Sequence, residues 1–497
     1  MLAAVQSTVV VGVEAIPVQI EVDVCHGLPQ FAVVGLPDMA VRESRDRVRA
    51  AIRNSGFEFP PHRITVNLSP ADVPKAGTSF DLAIALGLLA TSGQLPAPAL
   101  TGTLVLGELS LDGAINPVRG VLAAALAARR LGVHRLLVPA ANAREAVVVA
   151  GVSVLAAGAL TGAVAAMADP DAHTQPPAPP DVVSALPGEA DLADVSGQLL
   201  ARRALEIAAA GGHNLLLVGP PGTGKTMLAR RLPTILPPLT LDERLEASAV
   251  HSVAGVLPAG TGLLDARPFR APHHSASHVA LIGGGAIPRP GEVTLAHHGV
   301  LFLDECPEFG RRALEALRQP LEEHAVTISR AAGAVRFPAR FLLAAAMNPC
   351  PCGYHGHPHH PCTCAPGEMA RYASRLSGPL LDRVDLTVRV GPVPPADLGG
   401  GPGEASAPVL ARVLAARARQ GTRTGRTTNG DLRGQQVVRV ARPTDRAAAI
   451  LRRASEQLGL SARSHHRVLA VARTIADLEG HPVVEGRHVA EALQFRG

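Results

Sequence analysis

A glycine-rich octapeptide, Gly219-Pro220-Pro221-Gly222-Thr223-Gly224-Lys225-Thr226, separates a short apolar run, Asn214-Leu-Leu-Leu-Val218, from a helix-patterned stretch, Met227-Leu-Ala-Arg-Arg-Leu232. Strand, tight loop and helix in that order are what a phosphate-binding loop requires, and they commit this part of the chain to an α/β core. In such a loop the glycines let backbone N–H groups close around phosphates. The lysine reaches the β- and γ-phosphates and the final hydroxyl holds Mg²⁺. Residue usage sharpens the point, because only Lys75 and Lys225 among the 47 basic residues are lysines. A compact ammonium and a broad guanidinium fork are not interchangeable at a phosphate cradle. ATP with Mg²⁺ is the ligand this pattern predicts.

A chain of 497 residues with 47% hydrophobic content can build several packed domains. It has no Trp, two Tyr and ten Phe, which argues against base stacking on aromatic platforms and leaves backbone electrostatics as the route to nucleic acid. Net charge is +5, yet residues 408–497 carry 16 Arg against 7 Asp and Glu. A basic end of this kind serves a phosphate backbone or solubilises a helical domain. The N-terminus lacks a basic n-region, and Glu14 interrupts its apolar run, so a cytoplasmic location without membrane insertion is expected. The charge-free stretch Ala146–Met167, punctuated by Gly151 and Gly158, is read as a buried strand and helix rather than a membrane span.

Residues 1–168 alternate short β-rich runs (Val18–Val24, Arg63–Leu68, Leu104–Leu106, Leu136–Val138) with Ala-rich helical stretches, the pattern of an α/β domain. Residues 169–189 read as a Pro-rich linker. Residues 190–392 hold the nucleotide motifs, and 393–407 form a Gly-rich insertion. Residues 408–497 show helical periodicity with Arg on the polar faces.

Downstream of the phosphate loop, Gly299-Val-Leu-Phe-Leu ends in Asp304-Glu305. Carboxylates at a strand end suit Asp304 to Mg²⁺ and Glu305 to polarising the attacking water. A further apolar run, Phe341–Ala346, delivers Asn348, an uncharged amide able to contact a γ-phosphate or the water. Beyond it, Cys350, Cys352, Cys362 and Cys364 flank His355, His357, His359 and His360 in the loop 350–364. In a chain without an export signal, clustered cysteines point to metal rather than disulfides, and four thiolates suit tetrahedral Zn²⁺.

The segments DVSGQLLARRALEIAAAGGHNLLLVGPPGTGKTMLAR, FRAPHHSASHVALIGGG, PRPGEVTLAHHGVLFLDECPEF, AAAMNPCPCG and SGPLLDRVD are similar to those of the magnesium-chelatase-like AAA+ ATPases of the YifB/ComM family. The resemblance spans essentially the whole chain. It implies a Lon-protease-like (S5-type) α/β domain, an AAA+ P-loop core with a helix-2 insertion between Thr226 and Gly299, and a C-terminal helical lid. It also implies that Arg383 is an arginine finger offered to a neighbouring subunit's ATP and that Arg463 is the lid sensor, with Arg467 competing for that role. A finger supplied in trans puts catalysis at a subunit interface, so a homo-hexameric ring is expected. Residues 323–341 read as two strands joined at Ala332-Gly333, resembling the channel-facing hairpin of related motors, with Arg330 the cation nearest the tip.

The same resemblance sets Ser79, in Lys75-Ala-Gly-Thr-Ser79, where active Lon proteases hold their nucleophile. The position of the protease's lysine base aligns with Leu122, which cannot take a proton, so peptidase activity is not expected. The function implied is movement on DNA driven by ATP, with branch migration in recombination or uptake of transforming DNA as its narrowest form. The alternatives are a chelatase motor for Mg²⁺ insertion into porphyrin and an ATP-driven protease or unfoldase.

Overall fold

The computed structural model describes residues 1–176, 190–258, 260–285, 288–330, 333–393, 401–425 and 427–496. The chain gathers into two compact units, Met1–Val183 with Leu241–Leu264, and Ser184–Thr240 with Asp265–Gly497.

In the first unit the strands are β1 (Leu2–Val11), β2 (Glu14–Cys25), β3 (Gln30–Val34), β4 (Arg63–Ser69), β5 (Thr103–Val105), the short hairpin β6 (Glu108–Leu109) and β7 (Ile115–Asn116), β8 (Arg135–Pro139) and β9 (Ser153–Ala157). Seven of them form one mixed sheet in the order β3-β4-β2-β1-β5-β8-β9. The register of β1 on β2, from Leu2 opposite Asp23 to Val11 opposite Glu14, follows from alternation. Val5 and Val9 on one strand, and Val18, Ile20 and Val22 on the other, all face the core. Against this sheet lies the helix Asp81–Thr91, every residue of which is buried. Gly87 lets it approach closely, since a Cβ there would sit 2.7 Å from Val22 Cγ2. The charge-free stretch becomes β9 and the helix Leu160–Ala168, and no described helix is long and apolar enough to cross a membrane.

The helix Leu241–Ala254 belongs to this first unit. Leu245, Ala249 and Leu263 share a buried cluster with Leu122, Ala125 and Leu136, and Ser252 Oγ donates to Glu145 Oε2 at 2.5 Å. Part of the long stretch between Thr226 and Gly299 therefore completes a core begun far earlier in the chain. The start of the Pro-rich segment also joins this unit, because Pro170–His173 is helical and Gln175 N donates to Val154 O at 2.8 Å. Residues 177–189 of that segment lie outside the described residues.

The second unit holds β10 (Leu215–Val218), β11 (Phe269–Arg270), the two-residue pair β12 (Gly283–Gly284) and β13 (Arg289–Pro290), β14 (Val300–Leu303), the hairpin β15 (Ala325–Arg330) and β16 (Gly333–Pro338), β17 (Leu342–Met347) and β18 (Leu386–Arg389). Its five-stranded sheet runs β11-β14-β17-β10-β18, and each neighbouring pair is parallel. Parallel sheets bury both faces, which is why β10, β14 and β17 read as continuous apolar runs. Leu205 and Ile207 from the helix Leu199–Gly211, and Leu228 and Leu232 from the helix Lys225–Ile235, pack into their common core. Parallel strands also end at one edge, and there the phosphate loop leaves β10 between the ends of its neighbours.

The chain closes, among the described residues, with the helices Ser406–Thr424, Gln435–Ala441, Asp445–Leu458, Ala462–Leu478 and Gly486–Gln494. Their apolar faces, including Val413, Leu451, Val468 and Val489, join the same cluster as the parallel sheet. Of the Gly-rich insertion, residues 394–400 lie outside the described residues. The remainder is tied down, with Gly403 N on Ala193 O at 2.9 Å and Glu404 on Arg412 at 2.7 Å. The hairpin β15–β16 matches the expected pair of strands, but Ala331, Ala332 and the Arg330 side chain lie outside the described residues.

Candidate active site

The loop leaving β10 is shaped by its glycines. Gly219 N donates to Met347 O at 3.1 Å, and a Cβ on Gly219 would collide with the Val390 carbonyl. Gly222 and Gly224 sit at φ +77° and +85°, the left-handed region that L side chains avoid. Lys225 then opens the helix. Its Nζ donates to Gly219 O at 2.7 Å, to Pro220 O at 2.8 Å and to Asn348 Oδ1 at 3.2 Å. Burial lowers the Lys225 pKa, and the charges of Asp304 and Glu305 work in the opposite direction. Thr223 Oγ1 donates to Pro220 O at 2.9 Å, closing the loop on itself.

β14 brings up the acidic pair. Thr226 Oγ1 donates to Asp304 Oδ2 at 2.6 Å, while the other oxygen of Asp304 accepts from the Glu305 N–H at 3.0 Å. Glu305 is held at φ +49°, an uncommon backbone state for a residue with a side chain and one that concentrates at functional sites. Its Oε2 lies 3.3 Å from His274 Nδ1. Asn348 follows the end of β17, and its backbone hydrogen-bonds the Tyr372 hydroxyl, a phenol that burial pushes up to about 12. Lys225, Thr226, Asp304, Glu305 and Asn348, drawn from three stretches of sequence, thus converge where three parallel strands end. The set offers a cation, a hydroxyl and carboxylate able to share a divalent ion, a partly exposed carboxylate and an amide. Those groups fit a magnesium nucleotide.

Arg383 and Arg463 belong to a different cluster, gathered on Glu322. Arg383 Nη2 and Arg463 Nη2 both lie on Glu322 Oε1, at 2.5 and 2.9 Å. Arg383 is only 5% exposed, its Nη1 donates to Pro379 O, and its buried Nε has no hydrogen-bond partner among the described residues. Arg467 instead pairs with Asp385 at 2.6 Å. Burial opposes the charge on Asp385, but Arg467 and His213 outweigh it and hold the carboxyl below its usual range. Glu322, Asp385, Arg433, Arg463, His466 and Arg467 line one cleft of about 460 Å³.

The four clustered cysteines form a cage. Cys350 Sγ is 3.4 Å from Cys352 Sγ and 3.6 Å from Cys362 Sγ, the latter two are 3.6 Å apart, and all four sulfurs lie within 4.8 Å of one another. Backbone N–H groups of Cys352 and His355 point at Cys364 Sγ and Cys350 Sγ, each at 3.3 Å. Four ligands at about 2.3 Å from a tetrahedral Zn²⁺ stand about 3.8 Å apart. The cage fits that ion, and its spacing is too long for a disulfide of about 2.05 Å.

Three contributors escaped the sequence reading. His274 sits in the segment Phe269-Arg-Ala-Pro-His-His274, where paired histidines were the available signal. Glu322 and Tyr372 carried no signal, being one of many surface acids and one of two tyrosines.

A lysine-tipped loop between the ends of parallel strands, with acid and amide supplied by its neighbours, defines the class of AAA+-type P-loop ATPases. Comparison with known proteins narrows the class. The family described as "Magnesium chelatase, subunit ChlI" matches residues 191–398, "Subunit ChlI of Mg-chelatase" matches 20–142, and "Magnesium chelatase, subunit ChlI C-terminal" matches 403–496. The chain is 46% identical to "Uncharacterized protein YifB" of Salmonella typhimurium and to "Competence protein ComM" of Haemophilus influenzae, in each case over 100% of this chain and 97% of the relative. It belongs to the YifB/ComM family of magnesium-chelatase-like proteins. A shorter likeness, 30% identity over 131 residues, covers 25% of this chain and 16% of "Lon protease" from Chloroflexus aurantiacus.

Proposed function

We propose that this protein is the subunit of a homo-hexameric ring ATPase that moves along DNA, acting in branch migration during recombination or natural transformation in the cytoplasm. The observation that carries the ATPase part is the Lys225–Asn348 and Thr226–Asp304 pairing at one sheet edge. DNA as partner is supported by the name of the competence relative and by the arginine surplus of residues 408–497.

Backbone N–H groups of Gly219 to Gly224 cradle the phosphates, and Lys225 trades its loop carbonyls for β- and γ-phosphate oxygens. Bound Mg²⁺, held by Thr226 and Asp304, supplies neutralisation of charge on the phosphate oxygens. Glu305 orients the attacking water and draws off its proton, with His274 steadying the carboxylate. Asn348, hydrogen-bonded to Lys225, registers whether a γ-phosphate is present. Arg383 from a neighbouring copy meets the charge that develops there, and Arg463 serves as the sensor of the helical lid. Both arginines are ion-paired, but Arg467 is held by Asp385 with its side chain only 12% exposed against 39% for Arg463, which favours Arg463 for that role. Cys350, Cys352, Cys362 and Cys364 would hold Zn²⁺, which would tie their loop together as a structural ion. The first unit is a scaffold without peptidase activity, because Leu122 stands fully buried among apolar neighbours where a base would be needed.

A second reading, a chelatase motor acting on porphyrin, is favoured by the descriptions of the matching families. One experiment ranks the readings: ATPase rate alone, with forked or four-way DNA, with porphyrin and chelatase partner subunits, and with casein. Stimulation by DNA that falls steeply with salt is expected if Arg to phosphate contacts carry the binding. An unchanged rate with DNA, together with stimulation by porphyrin partners, would reverse the order.

A further inference from the structure

We infer that the metal of the four-cysteine cage is a strut that holds Asn348 and the phosphate loop in register, so that metal affinity and nucleotide affinity are coupled. This rests on the proposed nucleotide site and on Zn²⁺ in the cage, and it assigns the metal a task in that site.

The sulfur spacing identifies the kind of metal centre. Distances of 3.4 to 3.6 Å among the sulfurs of Cys350, Cys352 and Cys362, with that of Cys364 within 4.8 Å of each, suit one ion bound directly by all four. An iron–sulfur cluster places several irons and sulfides between its thiolates and spreads them further apart. A mononuclear site whose four tetrahedral positions are all taken by thiolates is structural, not catalytic.

Position gives the task. Asn348 stands two residues before Cys350, and Tyr372, which bonds the Asn348 backbone, lies in the helix Pro366–Ala373 that starts two residues after Cys364. The cage therefore closes a loop whose two ends are the sensor amide and the helix that anchors it. The middle of the loop reaches the phosphate cradle. Gly353, at φ +86°, brings its backbone against Pro221, so that a Cβ there would sit 2.8 Å from Pro221 Cδ. Besides the cage, this loop is held by a small ring cluster, Tyr354 against His357 and His360, and by the N–H groups of His359 and His360 on His357 Nδ1 at 3.1 Å. His355, His359, His360 and Pro361 are exposed, and only Cys350 and Gly353 within 350–364 are buried. A polar loop without an apolar core takes its folding energy from the ion it binds.

Coupling of this kind is reciprocal: whatever factor the metal adds to nucleotide affinity, the nucleotide adds to metal affinity. The test uses the full-length protein purified without chelator. About one Zn²⁺ per chain is expected by elemental analysis. Dissociation constants for a fluorescent, non-hydrolysable ATP analogue are then measured before and after zinc removal, and zinc affinity is measured by chelator competition with and without that analogue. Nucleotide affinity should fall about tenfold on zinc removal, return on zinc addition, and be mirrored by an equal factor in zinc affinity. Cys364→Ser should reproduce the loss, while hydrogen exchange shows β10 still protected. Lys225→Ala should keep its zinc and lose nucleotide. Protein without zinc, or zinc whose removal leaves nucleotide affinity unchanged, would overturn the inference while leaving the ATPase reading standing. Zinc-loaded protein that binds no nucleotide would sink that reading and this inference with it.

Discussion

Arg383 and Arg463 share one acceptor atom, Oε1 of Glu322, although 80 residues of chain separate them. The Arg383 guanidinium holds the Glu322 carboxyl below its ordinary range, and Arg463 adds to the effect. In a single copy the proposed finger is thus occupied by its own chain, and a neighbour's phosphate must displace a carboxylate to reach it. Replacing Arg383 with Ala should lower kcat by about 10³-fold or more with nucleotide affinity little changed. Glu322→Gln should free the finger and shift the rise of specific ATPase rate to lower protein concentration. Both are read from rate against protein concentration. Near-normal turnover by the Arg383 variant defeats the assignment.

Lys225 donates to two loop carbonyls and to Asn348, so its removal and that of the amide should differ. Lys225→Met loses charge-assisted bonds of about 1.5–3 kcal/mol each, and nucleotide binding should weaken by at least about tenfold per bond lost. Asn348→Ala should bind nearly normally and turn over about tenfold more slowly, as expected for a group acting after binding. Equilibrium binding beside steady-state kinetics separates the two, and equal binding losses in both variants would contradict the division.

Glu305 and His274 form the second separable pair. Glu305→Gln keeps shape and removes the base, so kcat should fall by about 10²-fold or more with nucleotide affinity retained. His274→Ala should cost less than Glu305→Gln, and added to Glu305→Gln it should cost almost nothing more. A double-mutant cycle on kcat checks this. Additive effects would show that the histidine acts elsewhere.

Asp81 gives the first unit a pH dependence. Burial raises its carboxyl to about 6, against which Arg47 works through bonds of 2.7 and 3.0 Å. A folded-state pKa above the unfolded value means that the folded form binds the proton more tightly. The contribution of this group is then greatest below about pH 4 and is lost as pH rises through 6, amounting to about 3 kcal/mol. Protection of the helix Asp81–Thr91 against hydrogen exchange, corrected for intrinsic rates, should decline over that window. Asp81→Asn should flatten the decline.

Local signals carry the sequence reading far. The runs at Val18–Val24, Arg63–Leu68 and Leu136–Val138 lie inside β2, β4 and β8, and Gly219 to Thr226, Asp304, Glu305 and Asn348 meet as their spacing suggests. Each of these depends on residues adjacent in sequence or on one strand end. What escapes is pairing at a distance. The stretch between Thr226 and Gly299 reads as an insertion, and nothing in Leu241–Ala254 says whose core Leu245 and Ala249 enter. A lone acid such as Glu322 is indistinguishable from its solvated neighbours until the fold sets two guanidinium groups on it. β1 escapes for another reason, since an apolar start such as Met1 to Val11 is weighed as a possible leader before it is weighed as a strand.

The placement of Leu241–Leu264 bears on how the molecule can be cut. The polypeptide leaves the first unit, enters the second, returns to deposit one helix and goes back again. A fragment starting near residue 190 keeps the whole nucleotide apparatus, yet it also keeps a helix whose apolar side was shaped for a body no longer present. Such a truncation should come out sticky and aggregation-prone, and the remedy is to replace the stray helix with a short polar bridge rather than to move the start point.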